Sequence, residues 1–212
     1  MSSPSEIDWS AKQLTIEKKA PDWFRKSINA NFESRIISVL GCNIHFLHWV
    51  KPDEPQRRAS VLLVHGGGAH ANWWRFIAPL LDNFDVAAID LSGMGDSGRR
   101  NEYSASIRSE EIRSVLDNCF SEAKPRFLVG HSFGGYMSMR FAADHGEKVA
   151  GTVIVDSPIY RPDTDLAQTP RRALKIERHY PTFELALKRF KLLPSQECKN
   201  DYIVEFIARH SI

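Results

Sequence analysis

The sequence predicts an α/β fold: a mostly parallel sheet with helices on both faces and a partial helical cap. Three observations carry that prediction. Short continuous apolar runs recur at residues 61–64, 86–89, 127–129 and 149–155, as strands covered on both faces require. Segments of helical periodicity alternate with them, which favours a parallel sheet joined by crossovers. After Asp156 the strand-like runs stop and three helical segments follow.

Taken in order, residues 1–34 are polar with scattered aromatics (Trp9, Trp23, Phe24) and read as an N-terminal arm. Residues 35–158 form the α/β core and 159–212 the helical cap. The core opens with an antiparallel hairpin, 35–40 and 43–50, around a turn at Gly41-Cys42, and 51–58 is a loop. After the strand at 61–64 and a glycine loop, Trp73, Ile77, Leu80, Leu81 and Phe84 recur at helical spacing, predicting a helix with one apolar stripe. The strand at 86–89 leads into a glycine-rich loop, 92–101. The spacing of Ile107, Ile112, Val115 and Leu116 predicts a helix over 104–120. A strand at 127–129, a helix over 133–144 and a strand at 149–155 complete the core. Cap helices are expected at 169–179, 182–190 and 200–210, separated by Pro181 and Pro194.

Composition narrows the function. Lys and Arg number 28 against 26 Asp and Glu, a net charge of +2, which gives no field for nucleic acid or an acidic membrane surface. A small-molecule substrate is the expected partner. Cys42, Cys119 and Cys198 are scattered, the pattern of reduced thiols, and the first residues contain no apolar signal core. No apolar run reaches the roughly 18 residues of a membrane helix. A cytoplasmic location is expected. No HExxH, CxxC or strand-borne GxGxxG occurs, so neither a metal nor another cofactor is expected.

The strongest chemical signal is Gly130-His131-Ser132-Phe133-Gly134 between a strand and a helix. G-x-S-x-G at such a junction makes a turn so tight that the flanking positions must lack bulk, and it lifts the serine hydroxyl into the open. Ser132 is the predicted nucleophile. An acyl-transfer serine needs two N–H donors aimed at the developing oxyanion. Phe133 should supply one. The other should come from His65-Gly66-Gly67-Gly68, with Gly67 the first choice and Gly68 the alternate.

At these motifs the sequence resembles the α/β-hydrolase superfamily, from about residue 20 to the end. HGGGAHANWW, the run Asp90–Ser97, GHSFGG and Val-Asp-Ser-Pro at 155–158 carry the resemblance, which is nearest to its cap-bearing, carboxylesterase-like branch. It implies cleavage of an ester or related acyl bond through an acyl-serine. Serine at 132 argues against the dehalogenase and epoxide hydrolase relatives, which place aspartate there.

The triad of this fold runs Ser, then Asp or Glu, then His. Asp156, 24 positions after Ser132 at the end of a strand, is the candidate acid. Its alternative reading is a loop-capping residue in Asp-Ser-Pro. No histidine is a convincing base. His131 sits on the elbow itself, and His145 lies roughly 20 Å down the following helix. His65 orders its loop, His70 precedes the serine, and His45 and His48 belong to the hairpin. His179 and His210 are cap residues. The expectation is therefore a chain truncated before the catalytic His, its last strands missing. The 149–155 strand would then be an exposed sheet edge prone to self-association.

Trp73 and Met94 are candidate pocket residues, although core packing also suits Trp73. A C–C hydrolase or cofactor-free haloperoxidase uses the same elbow. From a different class, the chain could be an inactive small-molecule-binding protein.

Overall fold

A computed structural model of the chain describes residues 20–50, 59–157, 180–192 and 198–212. The chain divides into two compact units, Pro21–Ser157 and Met1–Ala20 with Pro158–Ile212.

The first unit carries a six-stranded sheet in the order β1-β2-β4-β3-β5-β6. Its strands are β1 (Glu33–Val39), β2 (Cys42–Trp49), β3 (Ala59–Val64), β4 (Phe84–Ile89), β5 (Arg126–His131) and β6 (Gly151–Val155). The β1–β2 and β2–β4 pairs are antiparallel, and the other three pairs are parallel. This is the mostly parallel α/β sheet that the apolar runs predicted.

Alternation along the strands divides the core between the two faces. Ile44, Phe46, Leu62, Val64, Ala87 and Ile89 point to one face. There they meet Ile112, Val115 and Leu116 of α2 (Ala105–Cys119) and Met137 and Phe141 of α3 (Phe133–His145). Leu47, Trp49, Val61, Leu63, Val86 and Ala88 point to the other, against Ala71, Ala78, Trp74 and Leu81. With a period of two, each strand feeds both cores at once, so its apolar run must be continuous. Ser104 caps α2, its hydroxyl accepting from the Ile107 amide at 3.1 Å.

Three details differ from the sequence reading. The hairpin turns at Leu40-Gly41, with Val39 paired to Cys42 and φ of 48° and 73° at the two turn residues. Positive φ at both places is what a two-residue hairpin loop demands, which moves the turn one residue towards the N-terminus. The helix expected through Trp73–Phe84 is absent. Two short 3₁₀ turns, Ala71–Trp74 and Ala78–Leu80, stand there, with Ile77 and Leu80 exposed. Pro79 explains this: it lacks an N–H, and its ring would strike the carbonyl four residues earlier in an α-helix. Finally, α1 (Asp22–Ile28) lies within the segment read as an arm, and buries Phe24 and Ile28.

In the second unit, α4 (Phe183–Arg189) and α5 (Asp201–His210) stand where two of the three helices after the core were expected. Thr182 caps α4 by accepting from the Leu185 amide at 3.2 Å. The helix expected at 169–179 and the loop at 51–58 lie outside the described residues.

Candidate active site

The site is built where β5 turns into α3. Ser132 adopts φ 51° and ψ −116°, a conformation sparsely populated by residues with a side chain. Both flanking glycines are needed. A Cβ on Gly130 would come within 2.5 Å of the Gly134 carbonyl and of Ser138 Oγ, and one on Gly134 would collide with the Val64 and His65 carbonyls. The strained turn is held by its neighbours. The Ser132 amide donates to the Val155 carbonyl at 2.9 Å, and its carbonyl accepts from the Gly135 amide (2.9 Å) and Ser157 Oγ (2.8 Å).

The glycine loop after β3 runs alongside. The Cβ position of Gly67 lies 3.6 Å from the Phe133 Cβ, while that of Gly68 meets nothing within 4 Å. Among the described residues, neither the Gly67 nor the Phe133 amide donates to another backbone group. One unengaged N–H at the first residue of α3 and another in the neighbouring glycine loop, beside the Ser132 turn, are donors of the kind that can stabilise an oxyanion.

His65 fixes this loop. The Leu91 amide donates to its Nε2 at 3.1 Å, so the proton sits on Nδ1, which donates to the Gly66 carbonyl at 2.8 Å. Burial lowers the pKa of this ring, with the Asp90 charge opposing only in part. The ring is therefore a neutral orienting group, as its position in the sequence suggested.

Asp90 anchors the next loop from full burial. Its carboxylate accepts from His45 Nδ1 (2.7 Å) and from the amides of Ala71 (2.5 Å) and Asp96 (3.0 Å). Burial pushes its pKa up. The hydrogen bonds from His45 and from the two amides outweigh that and hold it below the usual carboxylate range. His45 Nε2 bonds Ser34 Oγ at 2.8 Å. His45, Asp90 and Asp96 bring ligand atoms within 4.8 Å of one another. Both Asp90 oxygens are already engaged by protein donors, which makes the cluster an internal brace.

The candidate acid, Asp156, follows β6 at φ 49° and is exposed. The β5–β6 register pairs His131 with Val155, so the positions of Ser132 and Asp156 adjoin although 24 residues separate them. Among the described residues the Asp156 side chain makes no hydrogen bond, and no histidine ring is hydrogen-bonded to Ser132. His131 turns its ring to Gly66, where an added Cβ would come 2.9 Å from Nδ1. His145 pairs with Glu110 at 2.8 Å and His48 with Asp85 at 3.0 Å. His210 bonds the Phe206 carbonyl. His70 is buried, and its pKa is pushed down to about 4 by that burial. His179 lies outside the described residues.

Of the two predicted pocket residues, Met94 is half-buried in the loop after Asp90. Trp73 sets its ring edge-on to His70 at 6.5 Å, while Trp74 packs on the sheet. Two buried charges on α2 escaped the sequence reading. Glu111 accepts from the Ser92 amide (3.0 Å) and Arg100 Nε (2.9 Å), and Arg108 lies over the Phe133 ring. The available signal was spacing: Arg108 and Glu111 fall one turn before Ile112 and Val115 on the same buried face.

The comparisons agree with this architecture. The chain belongs to the alpha/beta hydrolase family, whose model matches residues 61–208. Lipase LipV of Mycobacterium tuberculosis is 33% identical over 105 residues, covering 50% of this chain and 40% of that protein. An esterase of the same organism is 33% identical over 135 residues, 60% and 44% of the two chains. The hydrolase YugF of Bacillus subtilis is 28% identical over 159 residues, 74% and 54%. The chain spans about half the length of these curated relatives. Among solved structures, the thioesterase domain from the curacin biosynthetic pathway superposes with a TM-score of 0.65 at 21% identity, covering 85% of this chain and 67% of that one. An alpha/beta hydrolase from Novosphingobium aromaticivorans gives 0.62 at 19%, covering 84% and 63%. At these identities the two structures speak for the fold alone. No helix among the described residues is long and apolar enough to cross a membrane.

Proposed function

We propose that this α/β hydrolase cleaves a carboxylic ester or related acyl bond through an acyl-enzyme on Ser132. The reading rests on one observation: a serine held at φ 51° with the unengaged amides of Gly67 and Phe133 beside it. In this reading Ser132 Oγ attacks the acyl carbonyl and the two amides receive the oxyanion. The ester C–O bond breaks as the proton from the Ser132 hydroxyl passes to the departing alkoxide, which leaves as the alcohol. Water then hydrolyses the acyl-serine to the free acid and restores the hydroxyl. Asp156 is the acid that would orient a histidine base. Trp73 and Met94 would line the acyl pocket. The relatives named as lipase and esterase support the acyl-bond class at low identity.

In this reading Ser132 is the nucleophile and the two amides are the donors, and among the described residues no histidine ring is hydrogen-bonded to Ser132. A serine acting without its base retains about 10³ to 10⁴ of acceleration from the oxyanion donors and binding. That same observation favours a second reading, a small-molecule-binding protein without turnover. A fluorophosphonate probe separates the two. Covalent labelling that is lost in Ser132→Ala supports the acyl-enzyme, and a folded chain that takes no label supports the binder.

A further inference from the structure

The residue that carries the next inference is Arg108, on the first turn of α2. It is 7% exposed, and its Nη1 is buried without a hydrogen-bond partner. The neighbouring carboxylate, Glu111, is already taken by Arg100 and the Ser92 amide. What holds the guanidinium is aromatic: its carbon lies 5.2 Å from the ring centres of Tyr103 and of Phe133. Tyr103 is in turn fixed, its hydroxyl accepting from the Arg100 amide at 3.0 Å. A desolvated cation with open N–H groups is costly, and a fold keeps such a group where something repays it. Phe133 is both the ring beneath this cation and the residue whose amide stands next to Ser132.

We propose that Arg108, stacked on the residue that follows Ser132, is an anion-binding subsite selecting ester substrates that carry a free carboxylate on the acyl chain. The inference deepens the acyl-enzyme reading and rests on Ser132 being the reacting centre. A guanidinium presents paired N–H donors that match the two oxygens of a carboxylate, which a neutral ester end cannot replace. Burial lowers the pKa of this guanidinium and the Glu111 charge opposes only in part, consistent with a cation lacking a close counter-ion. An arriving carboxylate would supply one. Two aromatic contacts also keep the group from swinging out to solvent, so the subsite is fixed before the ligand arrives.

The test uses the full 212-residue chain with Ser132→Ala to prevent turnover, titrated calorimetrically with monomethyl glutarate and with dimethyl glutarate. The half-ester should bind about tenfold tighter or better, and Arg108→Gln should bring the two affinities together while leaving the diester unchanged. Arg108→Lys should recover part of the preference, because it restores charge without the paired donors. Equal affinities in the parent, a preference that survives Arg108→Gln, or no binding of either ester overturns the proposal. Should Arg108→Gln not fold, the parent itself decides: glutarate must raise its Tm more than sodium chloride at equal ionic strength, and an equal response overturns the subsite. Labelling of the native chain at Ser132 is scored separately. Preference without labelling sinks the acyl-enzyme and leaves the anion site; labelling without preference does the reverse.

Discussion

The Ser132 amide donates to the Val155 carbonyl across 2.9 Å, tying the strained turn to the strand that ends in Asp156. That bond sets the candidate nucleophile and the candidate acid on adjacent strand ends. It also means that strain at Ser132 is opposed by the sheet rather than by the turn alone.

Strain of this kind costs of order 1–3 kcal/mol, and glycine would relieve most of it. Ser132→Gly should therefore raise unfolding stability by about 1 kcal/mol while abolishing fluorophosphonate labelling. Urea unfolding measures the first effect and the probe the second. A variant less stable than the parent would show that the φ of 51° is not strained.

Gly134→Ala should fail badly. Its Cβ meets two carbonyl oxygens at the end of β3, backbone atoms that cannot move without breaking the sheet. A loss of about 3 kcal/mol or more, or no soluble protein, is the expected result. Stability within about 0.5 kcal/mol of the parent would mean that the elbow does not pack against His65 as described.

Asp90→Ala removes one buried carboxylate and strands three donors, on His45, Ala71 and Asp96. Orphaning buried groups in this way costs about 3–5 kcal/mol, so a large drop in the denaturant midpoint is expected. The glycine loop from Ser92 to Gly98 should become the first site of limited proteolysis. An unchanged midpoint would remove Asp90 as the anchor of that loop.

Acid should destabilise the fold before its carboxylates titrate. His65 and His70 are buried with lowered pKa values, His70 at about 4 against 6.5 in the unfolded chain. Between those pH values the unfolded state binds a proton that the folded His70 refuses, so stability falls as pH drops from 6.5 towards 4. For His70 this amounts to roughly 3 kcal/mol at about 1.4 kcal/mol per pH unit. Tm measured from pH 7.5 to 4.5 should fall, and His70→Phe should flatten the fall. A Tm constant over that range would contradict both assignments.

The free edge of the sheet makes a separate prediction. Among the described residues β6 pairs only with β5, and it carries Val153 and Val155 at 52% and 41% exposure. An uncovered apolar edge strand is a template for pairing with another chain. The protein should show concentration-dependent association in sedimentation, weakened by Val153→Lys. A single monomeric species at all concentrations would count against it.

The sequence alone determined the parallel strands, the elbow and the glycine loop, because each is a local requirement. A strand covered on both faces needs a continuous apolar run, and a turn that raises Ser132 needs glycine two residues to either side. Where a local rule competed with periodicity the reading failed, as at Pro79, which broke a helix that the apolar spacing alone had suggested. Tertiary structure decided everything that depends on distant partners. It placed Asp156 beside Ser132 through the β5–β6 register, engaged His65 and His45 as braces, and left Arg108 buried without an acceptor. Hydrogen bonding and desolvation are set by what other segments bring to a residue, and no spacing along the chain encodes that.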